Sequence, residues 1–309
     1  MMEFVDMHED FAFSSLRGDI ISGNGQSGIN MLREFEKVTI FSVIFPHIPA
    51  YTDLSDEMTK NYGFKQEGTY PEYSIMMDQF KFYYYLERSG YLRLVRRYSD
   101  INNGINFLIS MEGTDVLNQP DDLYILKNLG LGAIGLTWNY DTKFAASCMS
   151  RKDYGLTGFG EELINIANKT GIIIDLAHAS RKTVLEACAL TKAPVIDSHT
   201  NLTALKKHTR NIDDEEIKAI TETDGIIGIT AIPATLNHAS VEGIIENINY
   251  IGDNYGWRYV GIGTDFLGIN DVPAGFENII KMEELKSKLD HYQDVFFKNP
   301  YRIIEKILG

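Results

Sequence analysis

Between Gly171 and Thr200 the chain reads GIIIDLAHASRKTVLEACALTKAPVIDSHT. An apolar run ends in His178, Ser180 stands where a helix N-cap belongs before VLEACAL, and a second apolar run ends in His199. This reads as strand, helix, strand, and a unit of that length is a right-handed crossover between two parallel strands. Both histidines then emerge at the C-terminal edge of one sheet, where open α/β sheets and α/β barrels alike carry their chemistry. A single strand-end histidine reads as a hydrogen-bonded structural residue. Two imidazoles in register point to a metal.

The same alternation runs through the chain. Strand-like runs fall at 4–10, 38–45, 105–112, 132–138, 172–178, 194–199, 225–232 and 259–266. Helical patterns lie between them at roughly 74–98, 121–129, 159–170, 180–191, 213–223 and 240–255, the fifth opened by an Asp213…Glu216 capping box. Strands alternating with helices imply a parallel sheet covered on both faces, and eight such units point to a closed (β/α)8 TIM barrel. No repeat, low-complexity tract or Pro/Gly linker marks a boundary, so residues 1–309 are expected to form one domain. Two long connections, 46–73 and 139–158, follow strand ends and are expected to wall or cover the catalytic face.

Composition excludes several roles. With 29 basic against 43 acidic residues the formal charge is −14, and no basic cluster is present to release counterions from nucleic acid or an anionic membrane. Cys148 and Cys188 make neither a disulfide framework nor a thiolate metal site. No apolar run approaches the roughly 20 residues of a membrane-spanning helix, and the N-terminal MMEFVDMHEDFAF is unlike a secretory signal. A cytoplasmic protein is expected. No G-x-G-x-x-G or P-loop follows any strand, which disfavours a nucleotide-binding module.

Oxygen and nitrogen donors gather at the strand ends. His8 and Asp10, two apart, share a strand face while Glu9 turns away. Glu112 closes the third strand and Asp265 the eighth, within GIGTDFLG. Imidazole and carboxylate ligands without sulfur suit Zn(II), or Mn(II) or Co(II). The expected partition places His8 and Asp10 on one ion and His178 and His199 on the other, with Glu112 shared. Two ions about 3.5–4 Å apart would hold a bridging hydroxide and polarise a carbonyl. Asp265 is then free to shuttle the proton, and Arg210, in HTRN, to clamp a substrate carboxylate in bidentate fashion. Asp175 and Asp197, preceding the two histidines, are candidates for fixing an imidazole tautomer. His47 and His208 are candidate pocket-lining residues, and His238 and His291 read as solvated or packing residues.

These stretches, with IDLAHAS, PVIDSHTN, HTRNIDDEEIKAITETDGIIGI and GLTGFGEELI (155–164), resemble the renal (membrane) dipeptidase family, the zinc dipeptidases of peptidase family M19. The resemblance runs from VDMHEDF to the final RIIEKIL. It implies a metal-dependent (β/α)8 hydrolase with two zinc ions per chain, usually a homodimer. His8 and Asp10 would bind one zinc, His178 and His199 the other, and Glu112 would bridge. Arg210 would hold the substrate carboxylate and Asp265 would handle the proton. The implied substrates are dipeptides, often with a D-residue at the C-terminal position. An amidase or lactamase acting on N-acyl amino acids or β-lactams, and a metal-binding homologue without turnover, are the alternatives. Two positions depart from the better-known members. Trp138, in LTWN, replaces a histidine implicated in polarising the scissile carbonyl, and Leu267 replaces an acid two residues after Asp265. Trp138 is therefore expected to contact substrate with a changed pocket.

Overall fold

The computed structural model describes residues 2–15, 20–23, 25–47 and 71–309. Eight strands run in parallel in chain order: β1 (Glu3–Glu9), β2 (Lys37–Ile44), β3 (Gly104–Met111), β4 (Leu131–Gly135), β5 (Ile173–Asp175), β6 (Ile196–Thr200), β7 (Ile226–Ile229) and β8 (Val260–Ile262). The sheet curls until its two edges meet. A parallel bridge joins Glu9 to Phe266, with Asp10 N–H donating to Phe266 O at 3.0 Å and Asp265 N–H to His8 O at 3.0 Å. The result is the expected (β/α)8 barrel.

Helices α1 (Pro71–Arg88), α2 (Asp122–Asn128), α3 (Gly158–Thr170), α4 (Arg181–Leu190), α5 (Asp214–Glu222) and α6 (Val241–Tyr255) cover the outside. Ser180 caps α4, its Oγ accepting the Thr183 N–H, and the capping box of Asp213 and Glu216 opens α5. The helix expected to reach residue 98 stops at Arg88. There Gly90 takes a left-handed φ of 75°, and the chain turns into a two-residue strand, Arg93–Leu94, beside β3. The sequence reading also missed the C-terminal helix α7 (Asn299–Leu308).

Two hydrophobic layers result. Val5, Met7, Phe41, Leu108, Ala133, Ile173, Ile196 and Ile226 cluster inside the ring, two from β1 and one from each of β2 to β7, and Tyr301, Ile304 and Leu308 of α7 belong to the same cluster. The larger layer lies between the strands and the helices. Polar groups therefore collect at the opposite, C-terminal end. Most of the connection 46–73 lies outside the described residues. The 139–158 connection packs over the C-terminal face, tied by bridges Ala145–Leu156 and Ser147–Ala179.

Candidate metal centre and active site

Alternation along β1 would carry Val5, Met7 and then Glu9 into the ring. A β-bulge prevents this: Asp6 pairs with Ile40 and Glu9 with Ser42, so three residues of β1 advance against two of β2. The extra residue resets the faces, and His8 and Asp10 point inward together. Glu9 turns away from the site, as expected, into a fully buried position where desolvation and the neighbouring Asp6 push its carboxyl well above the ordinary range.

The remaining donors converge on the same point. Glu112 Oε1 lies 3.0 Å from His178 Nε2, 3.5 Å from His199 Nε2 and 3.8 Å from His8 Nε2. His8 Nε2 is 3.6 Å from Asp10 Oδ2 and 3.8 Å from Asp265 Oδ1. Among the described residues three donor sets result, Glu112 with His178 and His199, His8 with Asp10 and Asp265, and His8 with Asp175 and His199, every atom of a set within 4.8 Å of the others. Through Oε1, Glu112 comes within 3.8 Å of the histidines of all three sets.

These residues fit divalent cations on their own chemistry. Asn139 Oδ1 can only accept, so at 2.9 Å it fixes the proton of His178 on Nδ1 and leaves Nε2 as a lone pair. That lone pair faces His199 Nε2 at 3.1 Å and a carboxylate oxygen at 3.0 Å, an arrangement that calls for positive charge between them. The Nε2 of His8 is buried without a hydrogen-bond partner. Burial, Arg210 and His8 hold the His178 imidazole well below its ordinary pKa, and burial and His8 do the same for His199, so both rings are neutral and ligand-competent. Burial also opposes charge on His8, yet Glu112, Asp10 and Asp265 raise it to about 10. A buried site that stabilises a cation this strongly suits a metal equally well. Burial pushes Glu112 well above the carboxylate range and Asp265 up to about 7.

The backbone is strained at this site. Four non-glycine residues have positive φ among the described residues, and three of them are His178 (64°), Asp265 (62°) and Leu267 (71°). Each left-handed residue costs roughly 1–2 kcal/mol. Gln26 holds the last turn, accepting the Leu267 N–H at 2.7 Å and donating to Ile269 O at 2.8 Å. Gly268 lets that turn pass close by, since a Cβ there would lie 2.3 Å from Asp10 Oδ2 and 2.8 Å from Asp265 Oδ1.

A cavity of about 370 Å³ opens over the donors, and Asp10, Glu112, His178, Arg210, Asp265 and Trp138 are among its lining residues. Arg210 Nη2 donates to the carbonyl oxygen of His199 at 3.0 Å, which anchors the guanidinium beside that residue. Trp138 stacks on His47 (5.0 Å, 26°) and meets Phe45 edge-on (5.0 Å, 86°). His47 in turn lies 2.8 Å by Nε2 from the carbonyl oxygen of Glu112. His208 accepts the Arg210 N–H through Nδ1 at 3.1 Å, and His291 packs flat on Trp257 (4.2 Å, 18°).

The supporting residues differ from those expected. Neither Asp175 nor Asp197 fixes an imidazole. Asp175 Oδ1 instead accepts the N–H groups of Ala177 (3.0 Å) and Ser198 (2.9 Å), joining the ends of β5 and β6. The rings are held by Asn139 and by Ser198, whose Oγ is 2.8 Å from His199 Nδ1 and 3.4 Å from His8 Nδ1. Below them, buried Asp6 accepts the N–H and hydroxyl of Thr264 at 2.8 and 2.7 Å and the N–H of His8 at 3.2 Å. Asn139 and Ser198 adjoin motif residues and Asp6 lies two before His8, but no spacing rule distinguishes them.

Residues 2–307 match the family described as Membrane dipeptidase (Peptidase family M19). An uncharacterized dipeptidase of Schizosaccharomyces pombe is 33% identical over 202 residues, covering 61% of this chain and 48% of that protein. Dipeptidase aclJ of Aspergillus oryzae is 32% identical over 193 residues, covering 60% of this chain and 46% of its own. The chain thus spans about half the length of the curated relatives it matches. Its fold superimposes with a TM-score of 0.85 and 21% identity, over 99% of both chains, on a metallopeptidase of Rhodobacter sphaeroides crystallised with a phosphinate mimic of the dipeptide L-Ala-D-Ala. No helix among the described residues is long and apolar enough to cross a membrane. With a family match reaching from the first strand to the last helix, the chain belongs to peptidase family M19, the membrane dipeptidase family.

Proposed function

We propose that this protein is a metal-dependent dipeptidase holding two zinc ions, with manganese or cobalt as substitutes. The observation that carries the reading is Glu112 Oε1 within 3.8 Å of the Nε2 atoms of His8, His178 and His199. His8 and Asp10 would hold one cation and His178 and His199 the other, with Glu112 available to both. Two divalent cations, when bound, polarise the scissile carbonyl and acidify the attacking water.

The protein's own groups do the rest. Arg210 binds the substrate's terminal carboxylate, its guanidinium oriented by the His199 carbonyl. Asn139 and Ser198 keep the imidazoles aimed. Water adds its oxygen to the carbonyl carbon, the C–N bond breaks, and Asp265, in the cavity wall beside His8, carries the displaced proton to the departing amine nitrogen. Two free amino acids result. The relatives' dipeptidase names support this substrate class, and the ligand of the Rhodobacter sphaeroides structure supports tolerance of a D-residue at the C-terminal position.

The test is elemental analysis of the purified protein together with hydrolysis of a dipeptide panel that includes D-residue stereoisomers. Turnover lost on chelation and restored by zinc is expected. A protein that takes up no zinc when offered it, or that is loaded yet hydrolyses only N-acyl amino acids or lactams, overturns the reading. Sedimentation equilibrium tests the homodimer that the resemblance implies.

A further inference from the structure

The cavity over the donors has two unlike sides, and the barrel order sets them apart. In a closed ring of eight strands, β2 lies opposite β6. Arg210 follows β6, whereas Phe45 follows β2, with Phe13 after β1 on one flank and Trp138 after β4 on the other. The three aromatic rings form one continuous wall. Phe13 meets Phe45 edge-on at 5.4 Å and 75°, and Phe45 meets Trp138 edge-on at 5.0 Å and 86°. His47 backs the indole, and its bond to the Glu112 carbonyl ties the wall to the residue at the centre of the donor cluster.

We infer that this wall is the subsite for the side chain of the substrate's amino-terminal residue, and that it selects apolar, preferably aromatic, side chains there. The inference rests on the dipeptidase reading for its direction. With the terminal carboxylate on Arg210 and the scissile carbonyl over Glu112, the amino-terminal residue extends across the ring, away from Arg210 and toward Phe45. Edge-to-face aromatic surfaces favour a further ring beyond the area it buries. Phe13 and Phe45 are held rigid by burial, while Trp138 is half-buried and presents its free surface to the cavity, so little ordering is needed on binding. Phe13, Phe45 and Trp138 carry no charge, so a charged side chain would lose its hydration against these rings.

Two measurements test this separately from the reaction. Isothermal titration calorimetry of the zinc-loaded protein with phosphinate mimics of Phe-Ala, Leu-Ala, Gly-Ala and Asp-Ala reads binding alone. Hydrolysis of the same four dipeptides reads kcat/KM. Phe is expected to exceed Gly by about tenfold to a hundredfold in both, with Asp weakest. In Trp138→Ala and Phe45→Ala the Phe-to-Gly ratio should collapse to within about threefold, whatever happens to absolute rates. A ratio that is flat in the parent protein, reversed toward Gly or Asp, or undiminished in both variants overturns the subsite, as does failure of all four mimics to bind. Binding selectivity without hydrolysis of any dipeptide would reject the dipeptidase reading and leave the aromatic subsite standing.

Discussion

The side-chain oxygen of Asn139 sits 2.9 Å from Nδ1 of His178, and that one contact sets which ring nitrogen of His178 faces Glu112 and His199. Without it, the buried ring is free to place its proton on Nε2 or to rotate. Asn139→Ala should therefore weaken metal retention by about tenfold to a hundredfold while leaving the barrel folded. Competition against a graded series of chelators, with circular dichroism as the control, measures this. Retention equal to that of the parent would mean that His178 is held by packing alone.

Asp6 and Thr264 stitch the barrel where its first and last strands meet. Asp6→Ala removes the acceptor for two N–H groups and one hydroxyl in a fully buried seam, and should cost about 3–5 kcal/mol. Thr264→Val loses the hydroxyl's bond to Asp6 and the acceptor of the Phe266 N–H at 3.1 Å, and should cost about 2–3 kcal/mol. Urea unfolding midpoints at constant m-value give both figures. Equal, small losses would show that the seam is held chiefly by the Asp265 and Asp10 backbone bonds.

Glu216 gives stability a pH dependence outside the donor cluster. Burial pushes its carboxyl from 4.5 up to about 7, although it accepts the Asp213 N–H. The folded form therefore binds the proton more tightly than the unfolded chain. Stability is highest below about pH 4.5 as far as this group is concerned, and falls as pH rises toward 7, by on the order of 1–3 kcal/mol. Glu216→Gln keeps the capping acceptor and cannot ionise. It should raise the melting temperature at pH 8 and change it little at pH 4.5. A variant less stable than its parent at pH 8 would assign net benefit to the carboxylate.

Arg210 is expected to act through its fork of donors as well as through its charge. Arg210→Lys should lower kcat/KM on dipeptides by about 30- to 1000-fold and reduce the preference for a free terminal carboxylate over the corresponding amide. Steady-state kinetics on matched acid and amide substrates check this. An undiminished acid preference in the lysine variant would place the carboxylate elsewhere.

The barrel was legible because burial writes a period into the chain. Apolar runs such as IIIDLAH and PVIDSH, spaced by amphipathic helices, announced both the alternation and which edge would hold His178 and His199. The helix drawn through to residue 98 failed because Tyr91, Leu92 and Leu94 extend the apolar pattern past Arg88, while Gly90 ends the helix by backbone geometry that periodicity does not register.

The residues that support the donor side chains were not legible, because they are chosen by distance across the ring. Asp6 meets Thr264 some 258 positions away, and His47 meets Glu112 across 65. Asp175 reads in one dimension as a partner for the histidine near it, and in three dimensions serves the backbone of two strand ends. The amino-acid sequence by itself determined the ring, its working edge and the kinds of donor placed there, since those follow from local pattern and strand direction. Only the tertiary structure decided which imidazole nitrogen faces inward, that a bulge in β1 turns His8 and Asp10 into the ring, and that an aromatic wall stands opposite Arg210. Each of these depends on contacts between residues whose separation along the chain carries no record of their meeting.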